Sequence, residues 1–206
     1  MYRLVYYIGR IYVFLGKRLS DRWWNSYLVA FCRKRNEIIL SDWKSLRFNG
    51  KCLFAVAPGS KICIGKNVVI NSSHHTVAPS LSKISVEGGE LTIGDNSGLS
   101  SSVIICKERV SIGSNVNIGA GCLILDTNMH STDWRIRADR SLDRPDKADK
   151  KPVIIEDNVF IGARCIIGKG VTIGHCSMIA AGSVVIKDIP ANCIAAGNPC
   201  KVVKQL

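Results

Sequence analysis

The sequence of 206 residues contains no apolar run of transmembrane length and comparatively few acidic side chains. Its opening stretch, residues 1–16, is apolar, but Arg10 interrupts it and no small-residue cleavage site follows. These absences argue against a membrane-spanning anchor and against secretion. We expect one soluble, enzyme-sized unit in the cytoplasm.

The nine cysteines contain no C-x-x-C pair and are spread along the whole chain. Small secreted domains use dense disulfides, whereas a mid-sized chain with scattered cysteines is typical of reduced thiols in a cytoplasm. Structural zinc sites need closely paired ligands, so this pattern does not favour a metal. We expect no disulfide framework and no bound metal ion.

Positive charge is concentrated at one end of the chain. The formal net charge is +12, and the first fifty residues carry ten Lys or Arg against Asp21, Glu37 and Asp42. No helix-turn-helix, zinc-finger or RNA-binding signature accompanies this charge, so we expect no nucleic-acid partner. An anionic membrane surface or an anionic cofactor is a better candidate for the partner of this positive charge.

A strict period of six dominates the C-terminal half of the sequence. Apolar residues recur at Ile155, Ile161, Ile167, Ile173, Ile179 and Val185. Small residues follow four positions later, at Val159, Cys165, Val171, Ser177 and Ser183. Two kinds of position are therefore constrained together, as in a structural repeat.

The same period extends upstream, with one slip. Its apolar positions are Ile64, Ile70, Ile93, Leu99 and Ile105, then Ile112, Ile118 and Ile124. A helix would need a period of 3.6 and a half-buried strand a period of 2, so neither explains this pattern. The sequence predicts a mainly β solenoid, in which three short strands and three corners form each coil.

The repeat divides the chain into three regions. Residues 1–50 form a basic region in which Leu4, Ile8, Ile11, Leu15 and Leu19 predict an amphipathic helix. Residues 51–190 form the solenoid, and residues 191–206 form a C-terminal cap. The helix either caps the solenoid or packs on a neighbouring subunit; the alternative is that residues 1–40 dock on a membrane surface.

The repeat is interrupted between Asp126 and Lys151 by a charged excursion loop. A loop of this length in a compact domain is usually functional or disordered. His130 lies at its start, where a histidine could remove a hydroxyl proton near neutral pH. The three other histidines, His74, His75 and His175, are more typical of surface or subunit-interface positions.

A family resemblance rests on the excursion opening at DTNMH and on the segment KPVIIEDNVFIGARCIIGKGVTIGHCSMIAAGSVVIKDIPANCIAAGNPCKVVKQL. The stretch from about Ile93 to Leu206 resembles the hexapeptide-repeat acetyltransferases, specifically the maltose, galactoside and nodulation-factor O-acetyltransferase branch and its capsule and exopolysaccharide relatives. The resemblance implies a left-handed parallel β-helix and a homotrimer with acetyl-CoA bound between subunits. It also implies that His130 deprotonates an acceptor hydroxyl, which then attacks the thioester directly.

The same resemblance implies which residues contact acetyl-CoA. For the pantetheine arm they are Phe160, Gly162, Ala163, Ala180, Ala181 and Gly182. For the phosphates they are Lys187, Lys201 and Lys204. Small residues let backbone groups approach the arm, and cations attract the phosphates.

The chain departs from this branch where the acceptor binds. Relatives have an asparagine and acidic residues where this sequence has Ser101, Cys106 and Lys107. We therefore expect a different sugar or saccharide acceptor, for example a lipid-linked saccharide in surface-polysaccharide biosynthesis, handled at the inner face of the membrane. Asp126, Asp133 and Ser101 are candidates to orient His130 or to bind the acceptor.

Two alternatives to sugar acetylation remain. Serine or an antibiotic could be the acceptor, since such enzymes share the fold and the base. A scaffold built from the same repeats would bind no coenzyme A and would not depend on His130.

Overall fold

The computed structural model describes residues 22–72, 81–144 and 147–206. The predicted stripe from Leu4 to Leu19 and the pair His74 and His75 lie outside these residues. Within the described part, no helix is both long and apolar enough to cross a membrane.

The described strands form the three sides of a prism, named here sheets A, B and C. Sheet A contains β1 (Ile38–Leu40), β4 (Lys61–Ile64), β7 (Glu90–Ile93), β10 (Arg109–Ile112), β13 (Val153–Ile155) and β16 (Thr172–Ile173). Sheet B contains β2 (Arg47–Asn49), β5 (Val69–Asn71), β8 (Gly98–Ser100), β11 (Asn117–Ile118), β14 (Phe160–Ile161), β17 (Met178–Ile179), β19 (Cys193–Ala196) and β20 (Lys201–Gln205). Sheet C contains β3 (Cys52–Val56), β6 (Ser82–Val86), β9 (Val103–Cys106), β12 (Leu123–Leu125), β15 (Ile166–Ile167) and β18 (Val184–Val185).

The chain visits the sheets in the order A, B, C and then starts the next coil, so each strand pairs in parallel with the strand one coil away. For example, β10 pairs with β7 on one side and with β13 on the other. The exception in the described chain is β20, which turns back and pairs antiparallel with β19. A three-sided parallel solenoid of six coils results, closed at its C-terminal end by β19 and β20.

The six-residue repeat specifies the interior of the prism. Ile155, Ile161, Ile167, Ile173, Ile179 and Val185 are all buried. The small positions Val159, Cys165, Val171, Ser177 and Ser183 are buried beside them. Burying a branched apolar side chain stabilises the fold by about 1.5–3 kcal/mol, so every coil contributes to one continuous core.

One repeat assignment is wrong. Ile105 is only partly buried, and Ile104 and Cys106 on either side of it point into the core. Strand β9 has four residues, so two of its side chains enter the prism, and the slip in the repeat falls before Ile104. Alternation along a strand moves Ile105 to the outer face.

The corner between sheets A and B carries a column of asparagines. Asn67, Asn96, Asn115 and Asn158 all have positive φ, between 55° and 60°. Asparagine tolerates this left-handed conformation better than most residues. Each side-chain amide donates to the next carbonyl oxygen along the column, at 3.0, 3.3 and 3.1 Å.

The solenoid begins earlier in the chain than the sequence pattern predicts. The helix α1 is described over residues 22–34 and packs on the first coil through Leu28, Val29 and Cys32. Strand β1 pairs with β4, so the solenoid begins at Ile38 and not at residue 51. The first coil does not follow the repeat pattern because its inward residues Ile38, Phe48 and Cys52 are not spaced six positions apart.

All nine cysteines lie in the described residues and none forms a disulfide. Most are buried, in keeping with their role as small apolar side chains. Burial raises the pKa of the thiols of Cys32, Cys52 and Cys106 to about 12, so these thiols stay protonated at neutral pH.

Candidate active site

The excursion loop leaves the prism after β12 and returns at β13, at the corner between sheets C and A. Its two ends are joined by backbone hydrogen bonds, from the Asn128 N–H to the Asp149 carbonyl (3.0 Å) and from the Lys151 N–H to the Asp126 carbonyl (2.8 Å). A short helix, α2 (Trp134–Arg137), lies inside the loop. The loop therefore has a fixed base on a rigid scaffold.

His130 and Asp143 form a hydrogen-bonded pair within this loop. The Nδ1 atom of His130 lies 2.7 Å from Oδ2 of Asp143. The Oδ1 atom of Asp143 accepts the backbone N–H of Ser131 at 2.9 Å. The Asp143 side chain is only 11% exposed, whereas the imidazole is 62% exposed. The carboxylate thus holds one edge of the ring, and the other edge faces solvent.

The charge state of Asp143 fixes the direction of this hydrogen bond. The backbone N–H of Ser131, together with the His130 ring, lowers the pKa of Asp143 below its ordinary value. Asp143 is therefore a carboxylate near neutral pH and can only accept, so Nδ1 of His130 carries the hydrogen. In neutral His130 the Nε2 atom is then an unprotonated acceptor, which is the arrangement that a general base needs.

Asp126, a predicted orienting residue, has a structural role instead. Its carboxylate is fully buried and accepts the backbone N–H groups of Lys107, Glu108 and Arg109 at 2.6 to 2.9 Å. These three groups form the turn between β9 and β10, one coil below the excursion. Asp126 ties this turn to the base of the excursion and does not contact His130.

Asp133, the other predicted orienting residue, caps α2. Its carboxylate accepts the backbone N–H of Arg135 at 2.9 Å, as an N-cap side chain does. Neither aspartate therefore orients His130, and Asp143 is the residue that sequence reasoning missed; the alternative, that Asp133 binds the acceptor, stays a prediction. Asp143 lies thirteen positions after His130 in a loop without periodicity, so no spacing rule identifies it.

Ser101 lies at another corner of the prism. It is buried in the turn between β8 and β9, with a φ of 44°, whereas Lys107 lies at the far end of β9 beside the excursion. Lys107 is itself engaged, because its Nζ atom lies 2.7 Å from Oε2 of Glu87. Within one chain the structure does not bring Ser101 to His130.

Most of the predicted acetyl-CoA residues gather at the corner between sheets B and C. Gly162 and Ala163 follow β14, and Ala180, Ala181 and Gly182 follow β17 one coil above. The two turns stack so closely that a Cβ atom on Gly162 would lie 2.5 Å from the backbone nitrogen of Ala181. Gly162 is thus required by the coil spacing itself.

The outer surface of this corner is open. Gly182 has a φ of +75°, and a Cβ atom there would have no neighbour within 4 Å. Phe160 is 45% exposed at the start of β14. A groove of about 370 Å³ begins at Phe160 and continues along sheet B past Asn117, Gly98 and Asn71. Small side chains and open space at the corner fit a narrow, extended ligand such as a pantetheine arm.

The three lysines predicted to bind the phosphates do not lie together on the prism. Lys201 and Lys204 are exposed on β20, at the edge of sheet B, on the same sheet as Phe160. Lys187 follows β18 and lies at the corner between sheets C and A, on the side of the excursion loop. In one chain, Lys187 therefore lies at a different corner of the prism from Lys201 and Lys204.

The width of sheet C separates His130 from the small-residue corner. Gly162 and Gly182 precede the strands of sheet C, whereas His130 follows them. At about 3.3 Å per residue, the two corners are on the order of 15 Å apart. A single chain does not bring the predicted base and the predicted donor site together.

His175 forms a second histidine and carboxylate pair, on the body of the prism. Its Nδ1 atom lies 3.1 Å from Oε2 of Glu156, which also accepts the backbone N–H of His175. No group of three His, Cys, Asp or Glu side chains in the described ranges is placed to hold a metal ion.

Comparison with known proteins identifies the same repeats. The family "Hexapeptide repeat of succinyl-transferase" matches residues 109–124 and 152–187. Galactoside O-acetyltransferase of Escherichia coli is 36% identical over 120 residues, which are 58% of this chain and 56% of that protein. This chain thus spans little more than half the length of that relative.

Solved structures show the same architecture. A maltose O-acetyltransferase from Clostridium difficile is 31% identical, covers 75% of this chain and 71% of its own, and has a TM-score of 0.50. A hexapeptide-repeat acetyltransferase from Vibrio cholerae, solved in complex with acetyl-CoA, is 24% identical, covers 91% and 87%, and has a TM-score of 0.53, which supports the fold alone. The predicted left-handed parallel β-helix is confirmed, and the chain belongs to the hexapeptide-repeat acetyltransferase family.

Proposed function

We propose that this protein is an O-acetyltransferase that uses acetyl-CoA to acetylate a hydroxyl group of a sugar or saccharide. The observation that carries this proposal is the His130 and Asp143 pair, with Nδ1 at 2.7 Å from the carboxylate and the opposite ring edge exposed. A ring held in this way can take a proton from a substrate hydroxyl.

His130 and Asp143 of the excursion loop are the residues that carry out the proton transfer. Nε2 of His130 accepts it from the acceptor hydroxyl, and the Asp143 carboxylate stabilises the imidazolium that forms. Acetyl-CoA supplies the acetyl group as an activated thioester: the hydroxyl oxygen attacks the thioester carbonyl carbon, the C–S bond breaks, and the coenzyme A thiolate leaves and takes the proton from the His130 imidazolium. General-base assistance of this kind typically contributes about 10²- to 10⁴-fold to the rate.

The corner between sheets B and C is the proposed donor site. Gly162, Ala163, Ala180, Ala181 and Gly182 present backbone groups and small side chains there, beside the exposed ring of Phe160. Lys201 and Lys204 on β20 and Lys187 beside the excursion supply cations for the phosphates.

A homotrimer explains why these parts are separated within one chain. His130 and the donor corner lie on opposite edges of sheet C, so a complete site requires His130 of one subunit to face the donor corner of the next. The excursion also exposes three large apolar side chains, Trp134, Ile136 and Leu142, in the isolated chain. Such side chains are suited to packing against a neighbouring subunit.

A saccharide acceptor has support from two kinds of observation. The relatives named above act on a galactoside and on maltose. The groove on sheet B exposes amide side chains beside an aromatic ring, a combination suited to hydroxyl-rich ligands. A role in surface-polysaccharide biosynthesis is part of the same proposal.

The test is coenzyme A release from acetyl-CoA with a panel of acceptors. Release that requires a mono- or oligosaccharide supports the proposal. Release with serine or chloramphenicol but with no saccharide overturns the acceptor class and leaves the chemistry in place. No release, together with no acetyl-CoA binding by calorimetry, overturns the enzyme and favours a scaffold.

A further inference from the structure

Aromatic and basic side chains cover the N-terminal end of the prism. The inner face of α1 packs on the first coil, whereas Trp23 and Tyr27 on its outer face are 61% and 51% exposed. The Trp23 and Tyr27 rings are stacked, with centroids 5.8 Å apart. Two large aromatic rings thus stand in solvent on the surface of a short helix.

A groove of about 210 Å³ runs between α1 and the turn that joins β1 to β2. Arg33, Trp43, Lys44 and Arg47 line it, and no acidic residue does. Ser26 and Ala30 of α1 form its other wall. These two residues neighbour Trp23 and Tyr27 on the helix surface, because positions three apart lie side by side. We name Trp23, Tyr27, Arg33, Trp43, Lys44 and Arg47 together the basic-aromatic surface.

The cations of this surface are not neutralised by the described carboxylates. No described carboxylate forms an ion pair with Arg33, Lys44 or Arg47: Asp42 accepts the backbone N–H of Lys44 (3.0 Å), and Glu37 pairs with Arg35 (3.1 Å). The guanidinium of Arg33 instead lies 4.2 Å from the centre of the Trp43 ring. Stacking against a ring leaves the N–H edge of a guanidinium available to an anion.

We propose that the basic-aromatic surface docks this protein on an anionic lipid bilayer. Tyr and Trp rings prefer the headgroup level of a membrane, and Lys and Arg side chains are attracted to anionic lipid headgroups. The described surface combines both, whereas the described part of the chain contains no helix fit to span a bilayer. The site thus suits peripheral binding, and it is independent of the proposed acetyl transfer.

Charge complementarity decides between lipid and other occupants. A double-stranded nucleic acid would engage the cations and leave the outward pair of Trp23 and Tyr27 unused, and the same cationic surface of a second copy would be repelled by like charge. Each Lys or Arg near an anionic surface strengthens binding about fivefold. Removing Arg33, Lys44 and Arg47 together should therefore weaken binding about 100-fold.

The experiment measures co-sedimentation of the full-length protein with phosphatidylcholine vesicles containing 30% phosphatidylglycerol, and with vesicles of phosphatidylcholine alone. We expect binding to the first only, and a loss of about 100-fold in the triple variant Arg33→Gln, Lys44→Gln, Arg47→Gln. The control, Lys66→Gln, Lys83→Gln, Lys169→Gln, removes the same charge from other parts of the prism and should lose less than tenfold. Circular dichroism checks that both variants fold.

Tryptophan fluorescence gives a second readout. Trp23, Trp24 and Trp43 are three of the four tryptophans, and Trp134→Phe removes the fourth. We expect a blue shift of the emission on adding anionic vesicles, reduced by Trp23→Ala. Absence of vesicle binding, or an equal loss in both triple variants, overturns the proposal. So does a triple variant that loses only binding to an oligonucleotide, or only self-association.

Discussion

His130 and Asp143 are thirteen residues apart in the sequence, yet Nδ1 of the histidine lies 2.7 Å from Oδ2 of the aspartate. The aspartate is in turn held by the backbone N–H of Ser131, next to the histidine. The excursion loop thus folds back on itself and fixes the ring that we propose as the base. If His130 is the base, its efficiency depends on Asp143.

Replacing Asp143 with asparagine should lower kcat about 10²-fold and change the KM for acetyl-CoA little. The amide cannot stabilise the imidazolium, and its NH₂ group can favour the wrong tautomer of His130. Steady-state coenzyme A release measures both constants. Asp139→Asn, an exposed aspartate of the same loop, is the control and should retain near wild-type kcat. An unaffected Asp143→Asn enzyme would contradict the proposed positioning role.

The lowered pKa of Asp143 also predicts how stability varies with pH. An aspartate has a pKa of about 3.9 in the unfolded chain. Because the folded value is lower, the stabilising effect is present above about pH 4 and disappears as the pH falls through the folded pKa. The difference in unfolding free energy between wild type and Asp143→Asn should therefore shrink as the pH falls below about 4. Urea unfolding at each pH measures this difference in free energy. A difference that does not vary with pH would contradict the claim that the ionised Asp143 carboxylate stabilises the fold.

Asp126 and Asp133 should respond very differently to the same substitution. Asp126→Asn places an NH₂ group against three backbone N–H donors in a buried site, so we expect a loss of about 2–4 kcal/mol. Asp133→Asn keeps a good N-cap at an exposed helix end and should cost less than about 0.5 kcal/mol. Denaturant unfolding compares the two. Similar small losses would show that Asp126 does not anchor the excursion.

A comparison of Gly162→Ala with Gly182→Ala distinguishes a glycine that the coil spacing requires from one that lies exposed at the proposed acetyl-CoA site. The Cβ atom at Gly162 meets backbone 2.5 Å away, and we expect a loss of about 2–3 kcal/mol in stability. The Cβ atom at Gly182 enters open space, so the strain of its positive φ should cost only about 1 kcal/mol. Gly182→Ala should nevertheless raise the KM for acetyl-CoA severalfold. An unchanged KM would argue against this corner as the donor site.

The repeat made the solenoid predictable because each inward position needs a buried apolar side chain in every coil. Ile155, Ile167 and Ile179 are buried for the same geometric reason. The prediction was wrong where local geometry departs from the repeat, as in β9, where Ile104 and Cys106 replace Ile105. It also placed the start of the solenoid too late, because β1 and β2 carry no regular period.

The candidate site was only partly predictable. The position of His130 at a break in the repeat was visible in the sequence, and its role stays a prediction. Its partner was not visible, because Asp143 reaches it through the fold of an irregular loop, and nearer aspartates such as Asp126 and Asp133 are equally plausible by spacing. The separation of His130 from Gly182 follows from the order of the sheets, which the period alone does not specify.

The most direct test of the central claim compares His130→Ala with His175→Ala. Both histidines are exposed and hydrogen-bonded to a carboxylate, so the two variants are matched in chemistry and differ in place. The measurement is the kcat/KM for coenzyme A release with the best saccharide acceptor. We predict a loss of at least about 100-fold for His130→Ala and less than about threefold for His175→Ala. Equal activity of the two variants would contradict the assignment of His130 as the base.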